Sequence, residues 1–348
     1  MNFRKASAAA GILALALTAS ACSVDDGGGE GSADGPITIA CGAMEDWCQK
    51  MTSEFTAKTG IKASFVRLSS GETVARLEAA KASPEFDVWH GGPVDGFGAA
   101  KNADLIEAYK SPNREAIPEK YRDADGFWTG VYVGVLGFCS NQKVLDKVGV
   151  PAPTSWEALL DPKLTKNVSS AHPSTSGTAF TTLWTQVTRL GGEDPGMAYM
   201  AKLHNNILQY SKSGTAPGQT AGRGEVAVGL VFSHDCVKYK EEGMSDLVVT
   251  FPSEGTGYEI GGVALVKGSK HSAAAKKYID WTLTAEAQDN GPTVGSYQVL
   301  THPDAKVDDR MVKLSDVNLV DYDFVAAAAA KKALTARFDE EIASAPKE

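Results

Sequence analysis

The chain lacks what several common functions need. It has no lysine and arginine tract, and its formal net charge is −9, which argues against nucleic acid as a partner. Its six histidines are scattered; beyond the neighbours His234 and Asp235 nothing stands at metal-ligand spacing, so neither a metal nor a cofactor is expected. There is no Gly-x-Ser-x-Gly elbow. Ser233, His234 and Asp235, read as the end of an extended segment, would alternate faces and could not line up as a relay. The chain is therefore read as no enzyme, with a phosphoester hydrolase as the distant alternative. No internal repeat is visible. Past the N-terminus no apolar stretch reaches the roughly 18 residues of a membrane-spanning helix.

What is present begins with an address. Met1 to Lys5 is basic, and Ala8 to Thr18 is apolar but too short to span a bilayer. Ala19-Ser20-Ala21 then leads to Cys22, which resembles a bacterial lipobox. The reading is a signal peptide over 1–21 and a lipidated Cys22. Residues 22–35, rich in Gly and Asp, would be a flexible tether reaching roughly 20 Å. The protein is placed in the cell envelope, on the outer face of the cytoplasmic membrane, touching the membrane through the lipid alone. Export permits disulfides. Cys41 and Cys48 could form a local bridge, and Cys139 and Cys236 a second, or all four could be buried thiols.

The body, roughly 310 residues, is long enough for two cores. Pro36 to Ala40 reads as a strand, Met44 to Phe55 as a helix ended by Gly60, and Ile61 to Leu68 as a strand. Ser69-Ser70-Gly71-Glu72 opens a second helix, and Phe86 to Trp89 is a third strand running into His90-Gly91-Gly92-Pro93. Alternating strands and helices point to an α/β class with parallel pairing. Trp128 to Phe138 reads as a strand crossing into a second domain, and Val263 to Val266 as the crossing back. Thr154 to Glu157 reads as a capping box. Phe324 to Ala343 is a strong helix.

Hydroxyl-rich, glycine-containing junctions recur where strands meet helices. They are Ser69-Ser70-Gly71, Ser176-Gly177-Thr178 and Ser211-Lys212-Ser213-Gly214-Thr215. Each is either a simple helix cap or part of an anion cradle, because free N–H groups and the helix dipole both favour negative charge. A buried run, Val226 to Phe232, delivers Ser233-His234-Asp235, and Glu254-Gly255-Thr256-Gly257-Tyr258-Glu259 follows. This polar density between apolar strands reads as a binding site at the carboxyl ends of strands.

With Trp89-His90-Gly91-Gly92, Tyr210 to Gly214 and Glu254 to Gly262 added, the chain from about Ile37 to Leu300 resembles ABC-transporter substrate-binding proteins of the ferric-ion-binding group. Within that group it is most similar to the branch that binds phosphorylated sugars and related organophosphates. The resemblance implies a two-lobed type II periplasmic-binding-protein fold, each lobe a mixed, mainly parallel sheet flanked by helices, joined by hinge strands. Lobe 1 would comprise 36–137 and 262–300, lobe 2 138–261 and 301–348. It implies a monomer that closes on a small anionic ligand, a sugar phosphate, phosphoglycerate-like compound or aminoalkylphosphonate, and delivers it to an ABC permease and its ATPase. The head group is assigned to the Ser/Gly/Thr loops at helix starts, with Ser69, Ser70, Gly71, Ser176, Gly177, Thr178 and Ser213, and Gly91, Gly92, Glu254 and Thr256 are further ligand-binding candidates. His234, Asp235 and Glu259 would read the rest of the ligand, with Glu259 accepting from a hydroxyl, and Trp89 would form a stacking wall. Ferric-ion carriers of this group place two adjacent tyrosines after the strand matching Val226 to Phe232. Here His234-Asp235 stands there and the nearest tyrosine is Tyr239, which leaves ferric iron as the alternative.

Overall fold

The structure, a computed structural model, describes residues 35–347. The expected signal segment, Cys22 and the tether up to Asp34 lie outside the described residues. The first half alternates regularly: β1 (Ile37–Cys41), α1 (Glu45–Thr59), β2 (Ala63–Arg67), α2 (Ser70–Ala79), β3 (Val88–Pro93) and α3 (Val94–Asn102). Trp47, Cys48, Met51 and Phe55 form the buried stripe of α1, and Gly60, at φ 75°, ends it. The short β4 (Ile106–Glu107) and the fully buried β5 (Thr129–Asn141) follow. Next come α4 (Gln142–Val148), β6 (Val168–Ala171), α5 (Gly177–Leu190), α6 (Glu193–His204) and β7 (Ile207–Ser211). Then α7 (Ala216–Gly222), β8 (Val228–Phe232), α8 (Ser233–Glu241), β9 (Leu247–Thr250) and β10 (Tyr258–Val266) complete the middle of the chain. The last elements are α9 (Ser272–Thr282), α10 (Ala285–Gln288), β11 (Val299–Leu300) and α11 (Phe324–Phe338).

The strands run in the order β2-β1-β3-β10-β5-β8-β6-β7. Pairing is parallel among β1, β2 and β3 and among β6, β7 and β8, and antiparallel wherever β5 or β10 takes part. β5 serves both halves: Thr129 to Val135 pairs with β10, and Leu136 to Ser140 with β8. Two large cores result, one around Phe55, Trp89, Phe97 and Tyr278, the other around Phe138, Trp156, Phe180 and Leu183, with a smaller cluster around Cys139, Val231, Cys236 and Tyr239. α11 buries Leu334 and Phe338 in the second core. Disulfides join Cys41 to Cys48 and Cys139 to Cys236. Among the described residues no helix is long and apolar enough to cross a membrane.

Three local expectations need correction. β3 runs through Pro93, so Gly91 and Gly92 lie in the strand rather than after it. Ser233, His234 and Asp235 form the first turn of α8, not an extended exit. Thr154 opens no capping box; a tight turn at Glu157–Leu160 is held by Ser155 Oγ, 3.1 Å from the Ala158 N–H nitrogen, and by Glu254 Oε1, 2.9 Å from that of Trp156. α3 escapes a propensity reading because Gly96 and Gly98 interrupt it. Tertiary packing makes it a helix, since a Cβ at Gly98 would stand 2.5 Å from that of Ala328 on α11.

Candidate functional site

Between the two cores lies a small cavity of about 40 Å3. The first core supplies one wall from the ends of its parallel strands. β1 gives way to Gly42, Ala43 and Met44, and α1 starts there without a side-chain cap. β2 ends in Arg67, whose Nε donates to the Ala43 carbonyl at 3.1 Å and Nη1 to Ser69 Oγ at 3.4 Å. A guanidinium has five donors, so Arg67 keeps most of its capacity for a guest. Ser69 is the N-cap of α2, and its own N–H donates to Glu72 Oε2 at 3.1 Å. Gly92 (φ 90°) donates its N–H to the Tyr132 hydroxyl at 2.9 Å. A Cβ at Gly92 would meet Ser70 Oγ at 2.6 Å and turn that hydroxyl aside, and the φ of 90° itself favours glycine.

The second core supplies the facing wall. Ser176 caps α5, its Oγ accepting from the Ala179 N–H at 3.3 Å, and Gly177 and Thr178 form the first turn behind it. The α8 turn brings His234 and Asp235, and β10 brings Glu259 from the hinge region. The walls touch. The Gly71 N–H donates to the Thr175 carbonyl at 2.9 Å, and Gly177 faces Ser70 and Pro93 so closely that a Cβ would stand 2.7 Å from Pro93 Cδ. These contacts describe a closed cleft.

Burial dominates the electrostatics. It pushes the Asp235 carboxyl up to about 7, against the pull of Arg67 and Lys238. It raises Glu259 well above the carboxylate range, with Asp235 and Asp95 adding to the effect. It lowers His234 to about 3, leaving a neutral imidazole with Nε2 3.4 Å from Asp235 Oδ1. Burial thus favours the protonated form of the Glu259 carboxyl, which can donate as well as accept, over the charged one.

A pH dependence follows from these shifts. Asp235 and Glu259 bind protons more tightly folded than unfolded, so each contributes stability that is lost as pH rises from about 4 through its folded value. His234 acts in the opposite sense: its contribution is lost as pH falls from 6.5 toward 3. Above pH 6.5 the His234 contribution is complete, while Asp235, at about 7, still titrates. The empty protein should lose melting temperature as pH rises from about 6.5 to 8, and Asp235→Asn should flatten that fall. Parallel melting curves for the two proteins across this range would show an Asp235 with an ordinary carboxylate pKa.

Of the residues expected from sequence, Ser69, Ser70, Gly92, Ser176, Gly177, Thr178, His234, Asp235 and Glu259 line this cavity. The others do not. Trp89 is buried in the first core, stacked on Phe97 at 3.9 Å. Glu254 holds the Trp156 N–H, and the buried Thr256 hydroxyl donates to the Leu136 carbonyl at 2.9 Å. Gly71 lines an outer groove, Gly91 packs behind the wall against Ala43 and Tyr132, and Ser213 bonds the Thr215 hydroxyl at 3.0 Å in an adjoining chamber. Sequence reasoning missed Arg67, Tyr132 and Gln298 on the wall. Arg67 carried a signal, a lone cation closing an apolar strand just before a serine-rich helix start. Tyr132 and Gln298 carried none, the first being embedded in a strand that reads as a crossing between domains and the second in a short extended segment.

Residues 83–328 match the family model for bacterial extracellular solute-binding protein. The chain belongs to this family. It is 36% identical over 350 residues to an uncharacterized protein of Haemophilus influenzae, covering 98% of this chain and 99% of that one. It is 27% identical over 250 residues, 70% of each chain, to a Salmonella typhimurium periplasmic protein provisionally named for binding 2-aminoethylphosphonate. Among solved structures it is similar to the periplasmic binding protein AfuA of Actinobacillus pleuropneumoniae with fructose-6-phosphate bound (38% identity, TM-score 0.86, 89% of this chain and 99% of that one). Iron-bound HitA of Pseudomonas aeruginosa shares the fold (17% identity, TM-score 0.75, 87% and 98% covered). The chain thus has the type II periplasmic-binding-protein fold and is a solute-binding protein of the ABC-importer kind, in a family of binding proteins rather than enzymes.

Proposed function

We propose that the protein captures a small phosphorylated or phosphonate anion between its lobes and hands it to the permease and ATPase of an ABC importer. It would work as a monomer, held outside the cytoplasmic membrane by a lipid on Cys22 after removal of residues 1–21. The observation that carries this reading is the composition of one closed cavity: Arg67, serine hydroxyls and two helix starts on one side, with the neutral imidazole of His234 and the carboxyl groups of Asp235 and Glu259, both raised by burial, on the other. The head group would be held by Arg67, Ser69, Ser70, Ser176, Gly177 and Thr178, since hydrogen bonds to a charged oxygen are the strong ones. His234, Asp235, Glu259 and Gln298 would pair with hydroxyls, Glu259 as donor. A sugar phosphate suits so many groups able to bond hydroxyls. The fructose-6-phosphate found in AfuA and the phosphonate in the Salmonella relative's name support the class.

Ferric iron is served less well. Tyr132 is the one tyrosine lining the cavity among the described residues, and burial holds its hydroxyl well above the usual range for ionisation. The Tyr239 hydroxyl donates to the Thr215 carbonyl at 3.1 Å and is likewise pushed up by burial. The test is a thermal-shift panel with fructose 6-phosphate, glucose 6-phosphate, phosphoglycerates, 2-aminoethylphosphonate, inorganic phosphate and Fe(III) citrate. A ligand at about 100 times its Kd adds about 2.7 kcal/mol, a shift of a few degrees. Organophosphates should raise the melting temperature. A shift with iron alone, or with no organophosphate, would overturn the reading.

A further inference from the structure

The geometry points to Lys238 as a positioning residue that latches the closed form, reaching across the cleft from the helix that carries His234 and Asp235. The inference rests on the solute-capture reading above. Lys238 lies one turn beyond His234 on α8, on the same helical face. Its Nζ is 2.8 Å from Asp46 Oδ2 in the first turn of α1 and 2.9 Å from the Val294 carbonyl, in the turn that leads to Gln298. A third partner, Glu242 Oε1 at 3.1 Å, lies on its own helix. α1 and Val294 pack on the first core, whereas α8 packs against β5, β8 and β9 and is tied to β5 by the Cys139–Cys236 bridge. One ammonium therefore joins segments that each bring residues to the cavity wall: Gly42 to Met44, His234 with Asp235, and Gln298. The lysine stem lies against Gly295, where a Cβ would approach Nζ at 3.4 Å and Cγ at 3.5 Å.

The pair is built to open as well as close. Burial opposes the ammonium, but the bonds to Asp46 and Glu242 outweigh it and hold Lys238 above its ordinary value. The Asp46 and Glu242 side chains are 59% and 49% exposed, so both carboxylates stay hydrated when the cleft parts. A buried ion pair between the two cores differs. Lys331 on α11 lies 2.6 Å from Asp95, which is fully buried and also bonded by Tyr322. Separating that pair would strand a buried charge, so it belongs to the permanent packing of α11 on α3.

The experiment measures the distance between spin labels on α4 and α9, one on each lobe, by pulsed electron resonance. It compares wild type, Lys238→Met, Asp46→Asn, the double variant and Lys238→Arg, each empty and with fructose 6-phosphate. Lys238→Met keeps an apolar stem of similar length and should shift the closed-to-open ratio about tenfold toward open, a free-energy change of about 1.4 kcal/mol. Asp46→Asn should act in the same direction, the double variant should add little, and Lys238→Arg should restore most of the closure. Dissociation of fructose 6-phosphate from Lys238→Met should be about tenfold faster, or about 1.4 kcal/mol less of a barrier. An unchanged distance distribution in the empty variants overturns the latch, as does a lowered melting temperature with closure intact, the sign of a merely structural lysine. If fructose 6-phosphate moves nothing even in wild type, the ligand reading fails, while the empty-protein ratios still decide the latch.

Discussion

Arg67→Met should weaken binding of a phosphorylated ligand about 10- to 100-fold, because each hydrogen bond to a charged group contributes about 1.5–3 kcal/mol. Arg67 is the one lysine or arginine on the cavity wall among the described residues, so its loss leaves the anion facing dipoles and two carboxyl groups. It also lowers the Asp235 pKa, and without it that carboxyl should hold its proton to higher pH. The empty protein should keep its melting temperature to within a few degrees, since the side chain's own bonds go to the Ala43 carbonyl and the Ser69 hydroxyl at the edge of the wall. Calorimetric titration of the variant with a sugar phosphate, an organophosphonate and the unphosphorylated sugar is the measurement. Preference for the phosphorylated form should collapse. Retained preference would remove Arg67 from the head-group site and leave the helix starts to account for it.

Gly177→Ala should weaken every ligand alike, about 5- to 150-fold, which corresponds to the 1–3 kcal/mol of an overpacked contact. The added Cβ would stand 2.7 Å from Pro93 Cδ and 2.8 Å from Ser70 Oγ, both on the opposite wall. Parting of the walls relieves that clash, so the penalty falls on the closed state alone, and a ligand draws the protein closed only by its differential affinity for that state. Melting of the empty protein should hardly change, and alanine at the first position of α5 is a better helix former than glycine. Small-angle scattering with and without ligand would show whether the variant still compacts. Unimpaired affinity would mean that the walls do not meet at Gly177 when the site is filled.

Much of the framework was legible because its causes are local. The Trp47, Met51 and Phe55 spacing of α1, the glycine that ends it and the serine that caps α2 depend on residues a few positions apart. The glycine-rich and serine-rich junctions were legible for the same reason, and with the resemblance they carried the family and the fold. Reading polarity beside glycine as a site misled at Glu254 and Thr256, whose partners are backbone groups at Trp156 and Leu136, distant in sequence. Trp89 misled in the converse way: it directly precedes a wall segment, but its ring faces Phe97.

By itself the sequence determined the alternation of strands and helices, the helix starts that offer free N–H groups, and the His234-Asp235 pair in place of adjacent tyrosines. Only the tertiary structure decided which of those starts share a cavity, that Arg67, Tyr132 and Gln298 join them, and that burial raises the Asp235 and Glu259 carboxyls. The reason is physical. Capping and periodicity are set within one or two turns of chain, whereas the cavity wall and the desolvation of its acids arise from two lobes meeting across residues more than 100 positions apart, as Ser70 does with Gly177 and Arg67 with Asp235.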